Sequence, residues 1–283
     1  MTGPVIFKGQ QRRTEKTGPV VWKVGGSCTL KGQSGTDNGC LQDGGRRTDM
    51  IKAVIFDIDN TMYSFDEAHK SAMAALSAYT EKNFGMSAAE TKELAAKCMA
   101  MITERLGDNN AAIHNRLIRF QCFLEQIGCG DYQKAMEMYH TYWDTLIEVM
   151  EPEPGLLPLL KRLKEKGIKI GVGSDMTSYI QYKKLEKIGA LGYLDFLVTS
   201  EEAGVEKPTS QFFELCVKKA GCRPEECVFI GDNLKKDVEG SADFGMVGTW
   251  YHPGSGFSDR TSKYPTINSY ENYLRGEEWE KSR

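Results

Sequence analysis

A short apolar run at residues 51–56 carries a single lysine and passes directly into the acidic segment DIDNT at 57–61. An apolar run of this length without polar alternation is typical of a strand buried on both faces of a parallel sheet. Ligands of an open parallel sheet bind beyond the carboxyl ends of its strands. The run therefore predicts an α/β fold in which Asp57 and Asp59 lie at the binding edge.

From residue 151 onward, strand patterns alternate with helical patterns, which is typical of βαβ units. The first helix is expected to begin at Pro154 and to end before Gly167, since proline suits the first turn and glycine the position after the last. Further helices are predicted at 177–188 and 209–220, and strands at 168–172, 194–199, 227–230 and 246–250. Together with the first run, these strands predict a Rossmann-like, doubly wound parallel sheet.

Residues 65–150 separate the first strand from the others and read as a run of helices, rich in Ala, Met, Leu, Glu and Lys. We therefore predict a helical cap domain at 65–150, inserted into a catalytic core formed by 50–64 and 151–283. Residues 1–49 hold ten glycines and show neither a helical nor a strand period, so they are predicted to form a disordered N-terminal extension.

The overall composition favours a small ligand. A formal net charge of −3 gives no basic field for nucleic acid or an anionic membrane. No apolar run approaches the roughly 18 residues that span a bilayer, so a cytoplasmic protein is expected. The eight cysteines form no CxxC pair and the four histidines are scattered, so any metal is expected to be bound by oxygen. The oligomeric state is left open.

Polar clusters follow four of the predicted strands. Because the carboxyl ends of parallel strands meet at one edge, these clusters are expected to form one pocket. Crowded carboxylates repel each other, and Mg²⁺ between carboxylates and phosphate oxygens relieves that repulsion. The clusters are Asp57 with Asp59, Ser174 with Asp175, Glu206 with Lys207 and Pro208, and Asp232 with Asp237.

These residue types suit phosphoryl transfer. A carboxylate nucleophile, Asp57, can approach an anionic phosphate ester only if positive charge screens it, and Mg²⁺ and Lys207 supply that charge. Ser174 can donate a hydrogen bond to a phosphoryl oxygen. Asp59 can protonate the leaving alcohol and later activate water against the aspartyl-phosphate.

The order DxDxT, Ser, Lys-Pro and GDxxxxD resembles the haloacid dehalogenase (HAD) superfamily over about residues 51–250, in particular the subfamily with a helical cap between motifs I and II. The resemblance implies metal ligation by the Asp57 carboxylate, the Asp59 backbone carbonyl and Asp232, with Asp237 as a further ligand or a neighbour of the ligands. The second aspartate, Asp59, implies phosphate esters rather than haloacids as substrates. Asp175 departs from the family, where asparagine is common.

Other readings stay open at this point. Asp57 and Asp59 also suit a turn with a helix cap, Ser174 suits an N-cap, and Asp237 suits a helix terminus. Besides a phosphatase for small phosphate monoesters, the sequence allows a phosphomutase or a non-catalytic, receiver-like phosphate-binding module. Six polar residues of the insert are candidates for substrate contact, although a packing or surface role is the commoner one for each: Tyr63, His69, His114, Asn115, Arg116 and Arg119.

Overall fold

The computed structural model describes residues 51–254 and 263–275. The predicted disorder of residues 1–49 lies outside these ranges, as do 255–262 and 276–283 of the predicted core segment. Within the described ranges, no helix combines the length and the apolar character needed to cross a bilayer.

Six parallel strands form one sheet in the order β3-β2-β1-β4-β5-β6, so β1 lies between β2 and β4. This is the doubly wound sheet that the sequence predicts. β6 was not predicted, because two residues are too short to show a period. The strands are β1 (Ala53–Phe56), β2 (Lys169–Ser174), β3 (Phe196–Thr199), β4 (Cys227–Gly231), β5 (Val247–Tyr251) and β6 (Thr266–Ile267).

A helical cap is inserted between β1 and β2. Its first helix packs against the second and the fourth, and its third helix packs against both of these. The serine and glutamate at the start of the second helix, Ser87 and Glu90, form a capping box. The domain division at 65–150 stays a prediction. The cap helices are α1 (Phe65–Phe84), α2 (Ala88–Leu106), α3 (Arg116–Gln126) and α4 (Gln133–Glu148), with a 3₁₀ turn at Ala111–His114.

Helices cover both faces of the sheet. Val54 and Phe56 of β1 join one apolar cluster, and Ala53 and Ile55 join the other, as expected for a strand whose side chains alternate between two buried faces. Helices α5 (Leu156–Glu165), α6 (Ser178–Lys187) and α10 (Tyr270–Arg275) contribute to the first cluster, and α8 (Ser210–Ala220) contributes to the second. Two one-turn helices, α7 (Ser200–Ala203) and α9 (Gly240–Asp243), complete the core.

The predicted start of α5 at Pro154 is wrong, since the helix begins at Leu156. Gly155 precedes it with a φ of 83°, and a Cβ at this glycine would meet the backbone nitrogen of Glu271 at 2.5 Å. The left-handed φ of Gly155 therefore interrupts a helix that would begin at Pro154, and the close approach of α10 leaves room only for glycine at this position. The predicted end is confirmed, because Gly167 follows the helix with a φ of 71°.

The two linkers between sheet and cap run side by side. Tyr63 forms β-bridges to Asp59 and to Pro152, and the Glu153 amide donates to the Met62 carbonyl at 2.9 Å. The chain thus enters and leaves the cap next to the carboxyl end of β1.

Candidate active site

A tight turn places Asp57 and Asp59 directly beyond β1. Ile58 between them is fully buried, and its carbonyl accepts a hydrogen bond from the Met62 amide at 2.9 Å. Asn60 has a φ of 57°, in the left-handed region that asparagine tolerates better than most residues. The turn therefore directs both carboxylates toward the edge of the sheet.

Lys207 joins the ends of three strands. Its Nζ donates to Asp57 Oδ1 at 2.7 Å, to Asp237 Oδ1 at 2.7 Å and to the Gly173 carbonyl at 3.1 Å. Burial alone would lower the pKa of Lys207, but Asp237 and Asp57 raise it well above its usual value. The lysine is therefore a fixed positive charge next to the nucleophile that the sequence predicts.

The carboxylates of Asp57, Asp232 and Asp237 each offer one oxygen within 4.8 Å of the others. Burial, together with neighbouring carboxylates, raises the pKa of Asp57 to about 8 and that of Asp232 to about 6, although Lys207 acts in the opposite direction. The cluster thus holds more negative charge than Lys207 offsets. A hard divalent cation that prefers oxygen ligands fits these three carboxylates and would neutralise their excess negative charge.

Asp237 reaches the cluster because β4 ends in glycine. A Cβ at Gly231 would meet the Asp237 side chain at 2.3 Å. Asp237 lies on a π-helical turn, Leu234–Glu239, and its Oδ2 accepts from the Asn233 amide at 3.0 Å. The glycine before Asp232 therefore allows both aspartates of the GDxxxxD segment to face Asp57.

Asp59 has partners that the sequence analysis missed. Lys184 Nζ donates to its two carboxylate oxygens at 2.6 and 2.9 Å, and Tyr63 Oη donates to Oδ1 at 2.6 Å. Burial alone would raise the pKa of Asp59, but Lys184 lowers it below its usual value. Lys184 is fully buried on α6. Its position four residues after the buried Ile180 was the available signal, because that spacing places it on the apolar face.

Ser174 is the last residue of β2, and Asp175 follows it directly. Ser174 Oγ accepts a hydrogen bond from Gln181 Nε2 at 2.8 Å, which leaves the hydroxyl proton to donate. Asp175 accepts from the Lys207 amide at 2.9 Å and pairs with Lys236 Nζ at 2.9 Å. The residue that departs from the family pattern therefore fixes the loop that carries Lys207.

The cap contacts the core at this same loop. Asn109 Oδ1 accepts from the Glu206 amide at 2.6 Å, and His114 Nε2 hydrogen-bonds Glu206 Oε1 at 2.7 Å. The residue directly before Lys207 is thus held by two residues of the cap.

A cavity of about 680 Å³ opens between cap and core, a volume typical of small-molecule sites. Asp59 and Asp175 line it on the core side. Two of the six candidates for substrate contact do not line this cavity. Tyr63 donates a hydrogen bond to Asp59, and the Asn115 side chain caps α3 by accepting from the Leu117 amide at 3.0 Å. The other four candidates line the cavity, namely His69, His114, Arg116 and Arg119.

A doubly wound sheet, an acidic cluster with a buried lysine at its carboxyl edge and an inserted helical cap define an α/β enzyme with a site suited to phosphoryl groups. The family model of haloacid dehalogenase-like hydrolases matches residues 51–245. The chain therefore belongs to the haloacid dehalogenase-like hydrolases, which confirms the resemblance seen in its motifs.

Two curated relatives cover most of the same region. Ribulose-1,5-bisphosphate 5-phosphatase of Halopiger xanaduensis is 32% identical over 206 residues, which cover 72% of this chain and 86% of that protein. Glyceraldehyde 3-phosphate phosphatase of Methanopyrus kandleri is 34% identical over 206 residues, which cover 70% of this chain and 82% of that protein.

Solved structures share the fold. A HAD phosphatase from Thermococcus onnurineus superposes with a TM-score of 0.59 at 23% identity, covering 80% of this chain and 97% of that one. The HAD-hydrolase YfnB from Bacillus subtilis, solved bound to magnesium, has a TM-score of 0.60 at 20% identity with the same coverage.

Proposed function

We propose that this chain is a magnesium-dependent phosphatase that hydrolyses small phosphate monoesters through an aspartyl-phosphate on Asp57. The observation that carries the proposal is the arrangement around Asp57: Lys207 at 2.7 Å, and Asp232 and Asp237 within 4.8 Å. The phosphatase names of the curated relatives support this reaction class. The cytosolic location expected from the sequence stays a prediction.

Mg²⁺ would be held by the carboxylates of Asp57 and Asp232 and the backbone carbonyl of Asp59, with Asp237 as a further ligand or a neighbour of the ligands. When bound, the cation supplies positive charge that neutralises the phosphoryl oxygens.

In the first half-reaction, a carboxylate oxygen of Asp57 attacks phosphorus and the bond to the leaving oxygen breaks. The protonated form of Asp59, which is the minor form because Lys184 lowers the pKa of this carboxyl group, gives its proton to that oxygen, so the product leaves as an alcohol. The charge of Lys207 and the hydroxyl proton of Ser174 stabilise the phosphoryl oxygens as their charge is redistributed. The product of this step is phosphorylated Asp57.

In the second half-reaction, the Asp59 carboxylate takes a proton from water while the water oxygen attacks phosphorus. The bond between phosphorus and Asp57 then breaks, which releases inorganic phosphate and restores the Asp57 carboxylate. Asp59 is again protonated for the next turnover. One carboxylate therefore serves both steps, and Lys184 and Tyr63 fix its orientation.

The direct test is release of inorganic phosphate from a panel of phosphate esters, with and without Mg²⁺, by the natural chain and by Asp57→Asn. We expect release that requires Mg²⁺ and that the substitution abolishes. Release that persists in Asp57→Asn would overturn the assignment of the nucleophile.

The same panel separates the alternatives. The hydrolase family match favours an enzyme over the receiver-like module. A phosphomutase would isomerise a sugar phosphate and retain the phosphoryl group, so net phosphate release from several esters favours the phosphatase.

A further inference from the structure

Arg116, in the first turn of α3, faces the cavity without a polar partner. Its guanidinium lies 3.8 Å from the centre of the Tyr142 ring and 5.3 Å from that of Trp143. Within residues 51–254 and 263–275 it forms no hydrogen bond or ion pair, and its buried Nε is unsatisfied. A guanidinium held between aromatic rings keeps its N–H edge available for an anion.

Arg119 adds a second positive charge next to Arg116. Its Nε donates to the Ile113 carbonyl at 2.7 Å, and its Nη2 donates to the same oxygen. Burial, with Arg116 as a further cause, lowers the pKa of Arg119 to about 10. In the part of the chain that the structure describes, no carboxylate forms a salt bridge with either arginine, so the cap side of the cavity carries uncompensated positive charge.

The two acidic residues that line the cavity are already paired with lysines. Asp59 is paired with Lys184 at 2.6 Å, and Asp175 is paired with Lys236 at 2.9 Å. Burial of the Arg116 Nε without a hydrogen-bond partner is unfavourable unless a ligand supplies one. The cavity therefore meets the proposed phosphoryl site at Asp59, two residues after Asp57, and carries a separate cationic site with an unsatisfied Nε on the cap.

We propose that Arg116, with Arg119 beside it, forms a second anion subsite that binds a phosphate or carboxylate at the end of the substrate opposite to the phosphoryl group that is cleaved. The proposal rests on the proposed phosphatase function and names its substrate class: small phosphate monoesters with a second anionic group. Arg116 binds this group through a bidentate contact, which lysine at the same position cannot reproduce.

The test compares substrates that differ only in the second anionic group. Ribulose 1,5-bisphosphate is paired with ribulose 5-phosphate, and phosphoglycolate is paired with 2-hydroxyethyl phosphate. The first pair probes a second phosphate and the second pair probes a carboxylate. For each pair we measure the ratio of kcat/KM for the doubly anionic ester to that for its partner.

We expect a ratio of about 10 to 100 in the natural chain for at least one pair, from the strength of hydrogen bonds between charged groups. The ratio should approach one in Arg116→Met and take an intermediate value in Arg116→Lys. Arg105→Met is the matched control, since Arg105 is an exposed cap arginine outside the cavity lining and its loss should leave the ratio unchanged. A ratio near one in the natural chain for both pairs, or a ratio that Arg116→Met does not change, would overturn the subsite.

A purely structural role for Arg116 predicts a different result, namely lower thermal stability with equal loss of activity on both members of a pair. If Arg116→Met does not fold, Arg116→Lys retains the charge and provides the comparison.

Binding separates this proposal from the proposed function. Calorimetric titration of Asp57→Asn with ribulose 1,5-bisphosphate and ribulose 5-phosphate, and with the phosphoglycolate pair, requires no turnover. Tighter binding of the doubly anionic ester that is lost in Asp57→Asn/Arg116→Met supports the subsite even if the natural chain releases no phosphate. Equal binding of both members in each pair contradicts it, whatever the activity.

Discussion

Lys184 reaches from α6 to Asp59 and holds both carboxylate oxygens, at 2.6 and 2.9 Å. The lysine is fully buried, whereas the Asp59 side chain keeps 27% of its surface exposed at the cavity, so water reaches the pair only from the Asp59 side. Because Asp59 is the proposed acid and base of both half-reactions, a residue that fixes its orientation affects the rate more than substrate affinity.

Replacement of Lys184 by methionine should therefore lower kcat by about 10- to 100-fold, the cost of misplacing a catalytic group by about 1 Å. KM should change little, because the substrate does not contact this lysine. Steady-state kinetics measures both parameters. Lys187→Met is the matched control, since Lys187 is exposed on the same helix. An unchanged kcat in a folded Lys184→Met protein would contradict the positioning role.

Asn60 adopts a strained backbone conformation in the turn that follows Asp57. Its φ of 57° is unfavourable for a residue with a Cβ and without a short polar side chain. We predict that Asn60→Gly is more stable than Asn60→Ala by about 1 kcal/mol, because both lose the contact from the Asp66 amide and only alanine is strained. Urea denaturation compares the two variants, and equal stability would argue against strain in this turn.

At the level of elements, the loop between α2 and α3 contacts the loop that carries Lys207. Asn109 accepts from the Glu206 amide at 2.6 Å, and His114 hydrogen-bonds the Glu206 carboxylate. These contacts link the position of the cap to the position of Lys207, the residue after Glu206. Substrate binding should therefore depend on side chains that do not contact the substrate.

Asn109→Ala removes one of these contacts and should raise KM by about 2- to 10-fold, the equivalent of one hydrogen bond. Asp108→Ala, an exposed neighbour in the same loop, is the control and should leave KM unchanged. Steady-state kinetics with the ester of highest kcat/KM in the panel measures KM for both variants and the natural chain. Equal KM values for Asn109→Ala and the natural chain would show that the loop contact does not contribute to binding.

Glu226 joins the starts of β1 and β4 and makes stability depend on pH. The carboxylate contacts Lys52 Nζ at 2.7 Å and the Arg223 amide at 2.9 Å. The hydrogen bond from Lys52 and that from the Arg223 amide lower the pKa of Glu226 to about 2, from an ordinary value of 4.5. A lowered carboxyl pKa stabilises the fold above about pH 4.5, and this contribution is lost as the pH falls toward 2.

Glu226→Gln should therefore lower the free energy of unfolding at neutral pH, with a difference from the natural chain that shrinks between pH 4.5 and pH 2. Urea denaturation across this pH range measures the difference. Glu225→Gln is the control, because Glu225 is more exposed than Glu226 and pairs with Arg223 at 2.9 Å rather than with Lys52, directly before β1. A difference that does not change with pH would contradict the linkage.

For the whole molecule, the sequence predicts the sheet and the grouping of Asp57, Ser174, Lys207, Asp232 and Asp237, because each lies at the carboxyl end of a strand or in the segment that follows it, and parallel strands share one carboxyl edge. This topological rule requires no knowledge of side-chain contacts. The apolar runs were sufficient to locate the strands, because parallel strands are buried on both faces and are therefore continuously apolar.

Contacts between distant elements could not be predicted in the same way. Lys184 meets Asp59 across 125 residues, and no local pattern encodes that pairing. The start of α5 depends on the packing of α10 against Gly155, which is also a long-range contact. The unsatisfied state of Arg116 depends on which aromatic rings and acids surround it, so the sequence identified the residue but not its role.

The phosphorylated enzyme itself provides the most direct test of the central claim. Asp59→Asn is mixed with 4-nitrophenyl phosphate and Mg²⁺, quenched in acid within one turnover of the natural chain, and digested for mass spectrometry. This leaving group needs no proton from Asp59, whereas the attack of water needs the Asp59 carboxylate as a base, so phosphorylated Asp57 should accumulate. Phosphate on the peptide that carries Asp57, released by hydroxylamine, is the predicted result. Phosphate on another residue, or an unmodified peptide after nitrophenolate has been released, would contradict the aspartyl-phosphate mechanism.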